Sequence, residues 1–196
     1  HTPWLIPSDQ WKKYPDGTNE NKANNAIYYS DWALGEFFSS AKKSGYFDNT
    51  IFIITADHAS EFTKDPSNVP NLFHIPLLIL GPGVNPGVDS QISSQVDILP
   101  TIVKLAHWNT SFASMGVSLV GFSDKDTSNY GALCVRGNML NYINKDGWIS
   151  HDLIKITSKS QSINSLNITN IEKDLLSLYQ TTVQVQLTNR ISPPLK

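Results

Sequence analysis

The sequence predicts an α/β fold with a mostly parallel sheet flanked by helices, followed by a small C-terminal antiparallel sheet and a helix. A segment of helical periodicity at 22–44 leads through a short turn into the continuously apolar, β-branched segment 51–55. Such a strand is typical of a parallel sheet that is buried on both faces. A second apolar run follows at 75–80, and short strand-like runs fill the region after residue 130.

The first helix is predicted because apolar side chains recur at three- and four-residue intervals in 22–44. They are Ile27, Leu34, Phe37, Phe38 and Ala41. Lys42 and Lys43 suit the negative end of the helix dipole, and Gly45 is a natural residue to follow a helix. The strand at 51–55 then forms the first α/β unit of the fold.

The strand predicted at 75–80 ends at a dense Gly-Pro turn signal in 81–87. Asp97 is predicted to cap the helix that follows, and Pro100 is tolerated because it falls in the first turn. The apolar face of this helix consists of Ile98, Leu99, Ile102, Val103 and Leu105.

After residue 130 the pattern changes to short strands, which we predict at 131–135, 139–143 and 148–156. A hairpin turn is expected at 144–147, because its Asp-Gly pair accepts positive φ angles. Thr169 and Glu172 have capping-box spacing, so a last helix is expected to start there and run to about Arg190. We therefore predict two units, residues 1–125 and residues 126–196.

Composition excludes several classes of protein. The 196 residues carry 15 basic and 17 acidic side chains, a formal net charge of −2, so the chain lacks the positive charge that non-specific nucleic-acid binders need. A single cysteine, Cys134, excludes an internal disulfide framework and a cysteine-rich zinc finger. No run approaches the ~20 apolar residues of a membrane helix. Low charge with many Ser, Asn and Thr residues fits an extracytoplasmic protein.

Asp57 and His58 are the most informative pair, because they directly follow the strand at 51–55. Ligands gather at the carboxyl ends of strands in open α/β sheets. An adjacent carboxylate and imidazole can bind one divalent ion, and this mixed pair suits Mn²⁺ or Zn²⁺ better than an all-oxygen calcium site. Taken as a bare dipeptide, the pair favours the alternative, in which Asp57 caps the next segment and His58 fills a loop.

Five segments in order resemble the sulfatase domain of the alkaline phosphatase superfamily, and within it the lipoteichoic acid synthase-like phosphoglycerol transferases. The matching segments are 25–38, 45–51, 55–58, 73–83 and 95–102. The resemblance is good from His1 to about residue 120 and faint afterwards. It implies that residues 1–125 are the C-terminal part of an alkaline-phosphatase-like sandwich.

The resemblance assigns roles to particular residues. It implies that Asp57 and His58 bind the catalytic divalent metal ion, which would be Mn, Mg, Zn or Ca. It implies that His1, in a His-x-Pro segment, is a catalytic residue that reaches the substrate phosphate; the alternative is a disordered terminus. His74 is a candidate substrate-binding or second-metal residue, and the alternative is a structural histidine. The substrate would be a phosphate or sulfate ester, lipid- or glycan-linked.

The sequence departs from the family pattern in three ways. Ala59 replaces the usual glycine after the Asp-His pair, and Cys134 lacks the proline and the spacing of the sulfatase nucleophile motif Cys-x-Pro-x-Arg. The nucleophile and the early acidic metal ligand are missing, and the family places both upstream of His1. We therefore expect a C-terminal fragment that is inactive alone and that associates with its missing N-terminal half or with itself.

The leading hypothesis is a metal-dependent phosphoryl or sulfuryl ester transferase or hydrolase. By resemblance, the full-length protein is extracytoplasmic, in the periplasm or at the cell surface, with N-terminal membrane helices as its anchor. Two alternatives remain open: a non-catalytic module that uses the same scaffold to bind a partner or polymer, and a sulfatase proper.

Overall fold

The computed structural model describes residues 2–60, 62, 65, 67–121 and 130–188. It divides into two compact units, which are described separately: one comprises His1–Phe62 and Pro76–Val84, the other Thr63–Ile75 and Asn85–Lys196. The predicted division at residues 125 and 126 falls within 122–129, outside the described residues, and stays a prediction. No helix in the described ranges has the length and apolarity needed to span a membrane.

The first unit is built on helix α1 (Asn19–Lys43), which confirms the first predicted helix. Thr18 caps it by accepting the Asn21 N–H at 3.1 Å, and Gly45 follows it with a φ of 77°, as the sequence indicates. Part of the predicted apolar stripe is wrong: Ala41 is fully buried, whereas Ile27 and Phe37 are exposed.

Strands β1 (Phe52–Thr55) and β2 (Leu77–Leu80) complete the first unit. The ring of Phe52 packs against those of Phe38 and Phe47, with centroids 5.2 and 5.3 Å apart. These contacts join the start of β1 to α1. The other end of β1, at Thr55, does not contribute a ring to this cluster.

The prediction of a mostly parallel sheet is wrong for the described part of the chain. β1 and β2 pair antiparallel, with Phe52 opposite Leu80 and Thr55 opposite Leu77. A parallel pair needs a crossover, usually a helix, but the described residues of the connection 56–76 contain only a 3₁₀ turn, Val69–Leu72. Burial on both faces is also wrong, since no residue of either strand is buried, and Leu78 and Leu80 are exposed.

In the second unit, helix α2 (Ile98–Leu105) is preceded by a 3₁₀ turn, Gln95–Asp97. Asp97 stands at the predicted N-cap position, but its side chain makes no capping hydrogen bond to α2. The carboxylate turns back to accept the Ser94 N–H at 2.7 Å. The sequence therefore indicated the start of α2 correctly and the role of Asp97 wrongly.

Four antiparallel strands form a meander in the order β3-β4-β5-β6. The strands are β3 (Gly131–Arg136), β4 (Met139–Asn144), β5 (Gly147–His151) and β6 (Ile156–Lys159). Asn144 pairs with Gly147 across a two-residue turn, and Gly147 has a φ of 144°, which confirms the predicted hairpin. The single strand predicted at 148–156 is instead two strands, because Asp152 accepts the N–H groups of Ile154 and Lys155 and closes a turn.

Helix α3 (Ser165–Leu187) packs on this sheet. It begins before Thr169, so the capping box predicted from Thr169 and Glu172 is wrong: both residues lie inside the helix. The buried cluster of this unit comprises Leu140, Tyr142, Ile149, Ile163, Ile171 and Leu175. The predicted C-terminal antiparallel sheet and helix are thus confirmed.

Candidate functional site

Asp57 and His58 lie in the first unit, in the bend that follows β1. The strand ends at Thr55, and the chain leaves the regular alternation of side chains there. Both side chains are accessible to solvent, with 68% of Asp57 and 65% of His58 exposed. The structure thus brings the predicted carboxylate and imidazole together at an open strand end.

Hydrogen bonds fix the orientation of this pair. The His58 N–H donates to Asp57 Oδ1 at 3.0 Å, and His58 Nδ1 lies 2.8 Å from the carbonyl oxygen of Ala59. Because a carbonyl oxygen only accepts, this contact requires a proton on Nδ1. In the neutral ring the lone pair is therefore on Nε2, the nitrogen that lies 3.7 Å from Asp57 Oδ2.

The donor atoms of the pair fit a divalent ion. Metal bonds are about 2.0–2.1 Å to histidine nitrogen and about 2.0–2.2 Å to carboxylate oxygen, so these two ligand atoms of one ion lie at most about 4.3 Å apart. The 3.7 Å separation of Nε2 and Oδ2 falls within this limit. Among the described residues, no group of three or more His, Cys, Asp or Glu side chains could hold a metal. The role of Asp57 and His58 as ligands stays a prediction.

The other two predicted site residues are His74 and His1. His74 belongs to the second unit, where its N–H donates to the Pro70 carbonyl at 2.9 Å after the 3₁₀ turn. Its side chain is exposed. His1 lies outside the described residues. Their proposed roles in substrate binding and catalysis remain predictions.

Sequence reasoning missed a buried carboxylate in the second unit. Asp97 is 0% exposed, and besides the Ser94 N–H it accepts the Val117 N–H at 2.8 Å. The Tyr130 hydroxyl lies 2.5 and 2.6 Å from its two oxygens. Burial, followed by the hydrogen bond to Asp97, raises the pKa of Tyr130 above its ordinary value. A polar residue at the start of a helix does not indicate these hydrogen bonds, because their donors at Val117 and Tyr130 are far from Asp97 in the sequence.

His151 has a structural role, and its partner Glu172 lies far away in the sequence. It is buried, its Nδ1 accepts the Leu153 N–H at 2.9 Å, and its Nε2 lies 3.0 Å from Glu172 Oε1. Since Nδ1 accepts, Nε2 carries the proton and donates to the carboxylate. This is a structural link between the sheet and α3, with both ring nitrogens engaged.

Comparison with known proteins finds both sulfatases and lipoteichoic acid synthases among the relatives of this chain. The endo-4-O-sulfatase of Bacteroides thetaiotaomicron is 34% identical over 109 residues, which make up 49% of this chain and 22% of that protein. Lipoteichoic acid synthase 1 of Bacillus subtilis is 29% identical over 115 residues, 50% of this chain and 18% of that protein. The matched segments thus span about a fifth of these relatives.

A solved structure extends the likeness to the whole chain. A protein of the alkaline phosphatase superfamily from Vibrio parahaemolyticus superposes with a TM-score of 0.73 at 28% identity, covering 99% of this chain and 48% of that one. The chain therefore spans about half the length of this neighbour. The family model described as "Sulfatase" matches residues 1–108, more than half of the chain. The chain belongs to the sulfatase family.

Proposed function

We propose that this chain is part of a metal-dependent transferase or hydrolase of phosphate or sulfate esters, in which Asp57 and His58 bind the metal ion. The observation that carries the proposal is the 3.7 Å approach of His58 Nε2 to Asp57 Oδ2. The contact with the Ala59 carbonyl supports it, because a protonated Nδ1 directs the basic nitrogen toward the carboxylate.

A bound divalent ion lowers the pKa of a hydroxyl nucleophile and offsets the negative charge of the transferring group. The chain's own residues prepare the site for it. Asp57 supplies an anionic oxygen and holds the His58 N–H, while Ala59 fixes the imidazole tautomer. We assign the nucleophile to no described residue. The ion is proposed to be Mn, Mg, Zn or Ca.

We further propose that His1 contacts the phosphoryl or sulfuryl group and that His74 helps to bind the substrate. Either histidine can donate a hydrogen bond to an ester oxygen, and a protonated ring also offsets its charge. Relatives named as an endo-4-O-sulfatase and a lipoteichoic acid synthase support both ester classes. We also propose that the full-length protein acts outside the cytoplasm on a lipid- or glycan-linked ester.

The test is ester hydrolysis by the full-length protein, with 4-nitrophenyl sulfate and bis(4-nitrophenyl) phosphate as substrates in the presence of each candidate metal. Asp57→Asn and His58→Gln should each lower kcat/KM by about 100-fold or more, the loss expected when a metal ligand is removed. Asp89→Asn and His107→Gln are matched controls. Asp89 is also an exposed aspartate whose side chain accepts a nearby backbone N–H, and His107 is an exposed histidine.

Near-full activity of both site variants would contradict the proposal. Activity on the sulfate ester alone would favour a sulfatase proper, and activity on the phosphodiester would favour phosphoglycerol-type transfer. If the full-length protein binds no divalent metal and cleaves neither ester, the alternative of a non-catalytic binding module is supported instead.

A further inference from the structure

The first unit carries an aromatic surface whose residues have no role in the site described above. It consists of Trp11, Tyr28, Tyr29 and Trp32. Trp11 ends a 3₁₀ turn, Asp9–Trp11, and the other three stand on α1 at the spacing of neighbours on one helix face. The ring centroids of Trp11 and Trp32 are 4.3 Å apart, and those of Tyr29 and Trp32 are 5.8 Å apart.

Internal packing explains only part of this surface. Trp11 and Tyr29 are half-buried among the other rings, as expected for residues that fasten the N-terminal loop to α1. Trp32 and Tyr28, however, stay 44% and 39% exposed. Exposed neighbouring aromatic rings provide a large, rigid contact area at low entropic cost, and they are typical of binding surfaces.

A cation stands beside the exposed rings. The Lys13 ammonium lies 4.9 Å from the centroid of the Tyr28 ring. The backbone at Lys13 and Tyr14 is held by the side chain of Asn25, which is 3% exposed. Its Oδ1 accepts both N–H groups at 2.9 and 2.8 Å, and its Nδ2 donates to the Tyr14 carbonyl at 3.0 Å. A buried amide therefore holds the backbone from which the Lys13 side chain extends to the rings.

The charge of the neighbouring lysine, Lys12, is paired with carboxylates instead of facing the rings. Lys12 pairs with Asp9 at 3.0 Å and with Asp16 at 2.9 Å, and the hydrogen bond with Asp16 is the largest cause of its raised pKa. Its charge is thus offset locally. The surface therefore offers flat apolar rings with the Lys13 charge at their border, which is complementary to a ligand that has both a flat apolar face and an anionic group.

We propose that the aromatic surface is a glycan subsite that binds sugar rings of an anionic, ester-bearing polysaccharide. A pyranose ring presents a flat face of C–H groups that packs on an indole or phenol ring, and Lys13 pairs with a sulfate, phosphate or carboxylate on the sugar. An acyclic polyol phosphate has the charge but no flat face. The proposal names the substrate class of the site proposed above, and to that extent it rests on the proposed function.

The surface belongs to the same compact unit as Asp57 and His58. The ring of Trp4, in the segment before Trp11, lies 5.7 Å from that of Phe62, in the segment after His58. We propose that the surface and the metal pair bind different parts of one polysaccharide.

The test is calorimetric titration of the whole chain with a chondroitin 4-sulfate hexasaccharide, in EDTA so that no metal contributes. Trp32→Phe keeps a ring and should bind within about threefold of the wild type, whereas Trp32→Leu should bind about tenfold more weakly. Lys13→Gln should lose about fivefold. Trp108→Leu is the matched control, since Trp108 is a 62% exposed tryptophan in the other unit; it should bind as the wild type does.

Three results would overturn the proposal: no binding by the wild type, equal affinity of Trp32→Phe and Trp32→Leu, or an equal loss in Trp108→Leu. Equally tight binding of poly(glycerol phosphate) of matched charge would also contradict the proposal, because the aromatic rings would then not contribute to binding. If Trp32→Leu does not fold, the proposal is tested by Lys13→Gln, at an exposed residue, and by the comparison with poly(glycerol phosphate). Hydrolysis of the small chromogenic esters needs no polysaccharide. A failure of the proposed function in that assay is therefore distinguishable from a failure of polysaccharide binding in this one.

Discussion

Replacing Asp97 with alanine should destabilise the second unit more than any exposed substitution. The carboxylate is fully buried and accepts hydrogen bonds from the Ser94 and Val117 N–H groups and from the Tyr130 hydroxyl. Each buried donor left without an acceptor costs about 1–3 kcal/mol. Allowing for water entry and relaxation, we expect Asp97→Ala to cost about 3–5 kcal/mol, a large share of the ~5–15 kcal/mol that stabilises a typical domain.

The assay is urea unfolding followed by circular dichroism. With a slope of about 1–3 kcal/mol per molar urea, Asp97→Ala should move the midpoint down by more than about 1 M. Tyr130→Phe removes one of the three donors and should cost only about 1–2 kcal/mol. Asp89→Ala is the control: its carboxylate also accepts a backbone N–H, but at an exposed site, and about 0.5 kcal/mol is expected. A cost for Asp97→Ala below about 1 kcal/mol would refute the reasoning.

Three further changes have defined outcomes. A Cβ at Gly81, where φ is 140°, would lie 2.5 Å from the Thr50 carbonyl oxygen, so Gly81→Ala should cost about 2 kcal/mol or more in thermal or urea unfolding. Burial raises the pKa of Cys134 to about 11, so iodoacetamide at pH 8 should alkylate the native thiol more slowly than the urea-unfolded one. Leu78 and Leu80 are exposed on β2, so sedimentation velocity should show association that the double serine variant abolishes.

Each of these has its own control. Gly87→Ala should be nearly neutral, since nothing lies within 4 Å of the position that the added methyl group would take and its φ is not positive; an equal cost at both glycines would contradict the steric argument. A native thiol as reactive as the unfolded one would contradict the burial of Cys134. A wild-type chain that sediments as a monomer at all concentrations would contradict the association.

The raised pKa of Cys134 also predicts how stability depends on pH. The unfolded thiol ionises near about pH 8.5, below the folded value of about 11. The unfolded state therefore loses its proton first, so the thiol's contribution is fully present below about pH 8.5 and is lost as the pH rises toward about 11. The urea midpoint should fall between about pH 8 and pH 10.5 by more in the wild type than in Cys134→Ser.

The elements that sequence reasoning predicted correctly are those with local causes. Helix α1 follows from apolar spacing and its terminal Gly45, and the hairpin at 144–147 follows from turn residues that end at Gly147, which takes the positive φ. The turn after His151 gave no such signal, because Leu153 adopts a φ of 72° without being glycine or asparagine. A buried histidine nitrogen stabilises that turn by accepting the Leu153 N–H.

The errors come from contacts between distant segments. Strand direction depends on the path of the connection 56–76, which composition does not specify. The sequence therefore predicts a mostly parallel sheet, although β1 and β2 pair antiparallel. The function of Asp97 depends on Val117 and Tyr130, which lie 20 and 33 residues away. For the candidate site, the sequence indicated Asp57 and His58, but the tautomer that orients His58 follows from the carbonyl of Ala59.

The decisive measurement is histidine nitrogen NMR of the ¹⁵N-labelled chain during titration with Zn²⁺. The predicted result is a metal-dependent shift of His58 Nε2, with Nδ1 still protonated against the Ala59 carbonyl, and a weaker response in Asp57→Asn. His107, an exposed histidine in the other unit, should shift little at the same concentration. Saturating Zn²⁺ that leaves His58 unchanged, or that binds through Nδ1, would contradict the assignment of Asp57 and His58 as a metal-binding pair.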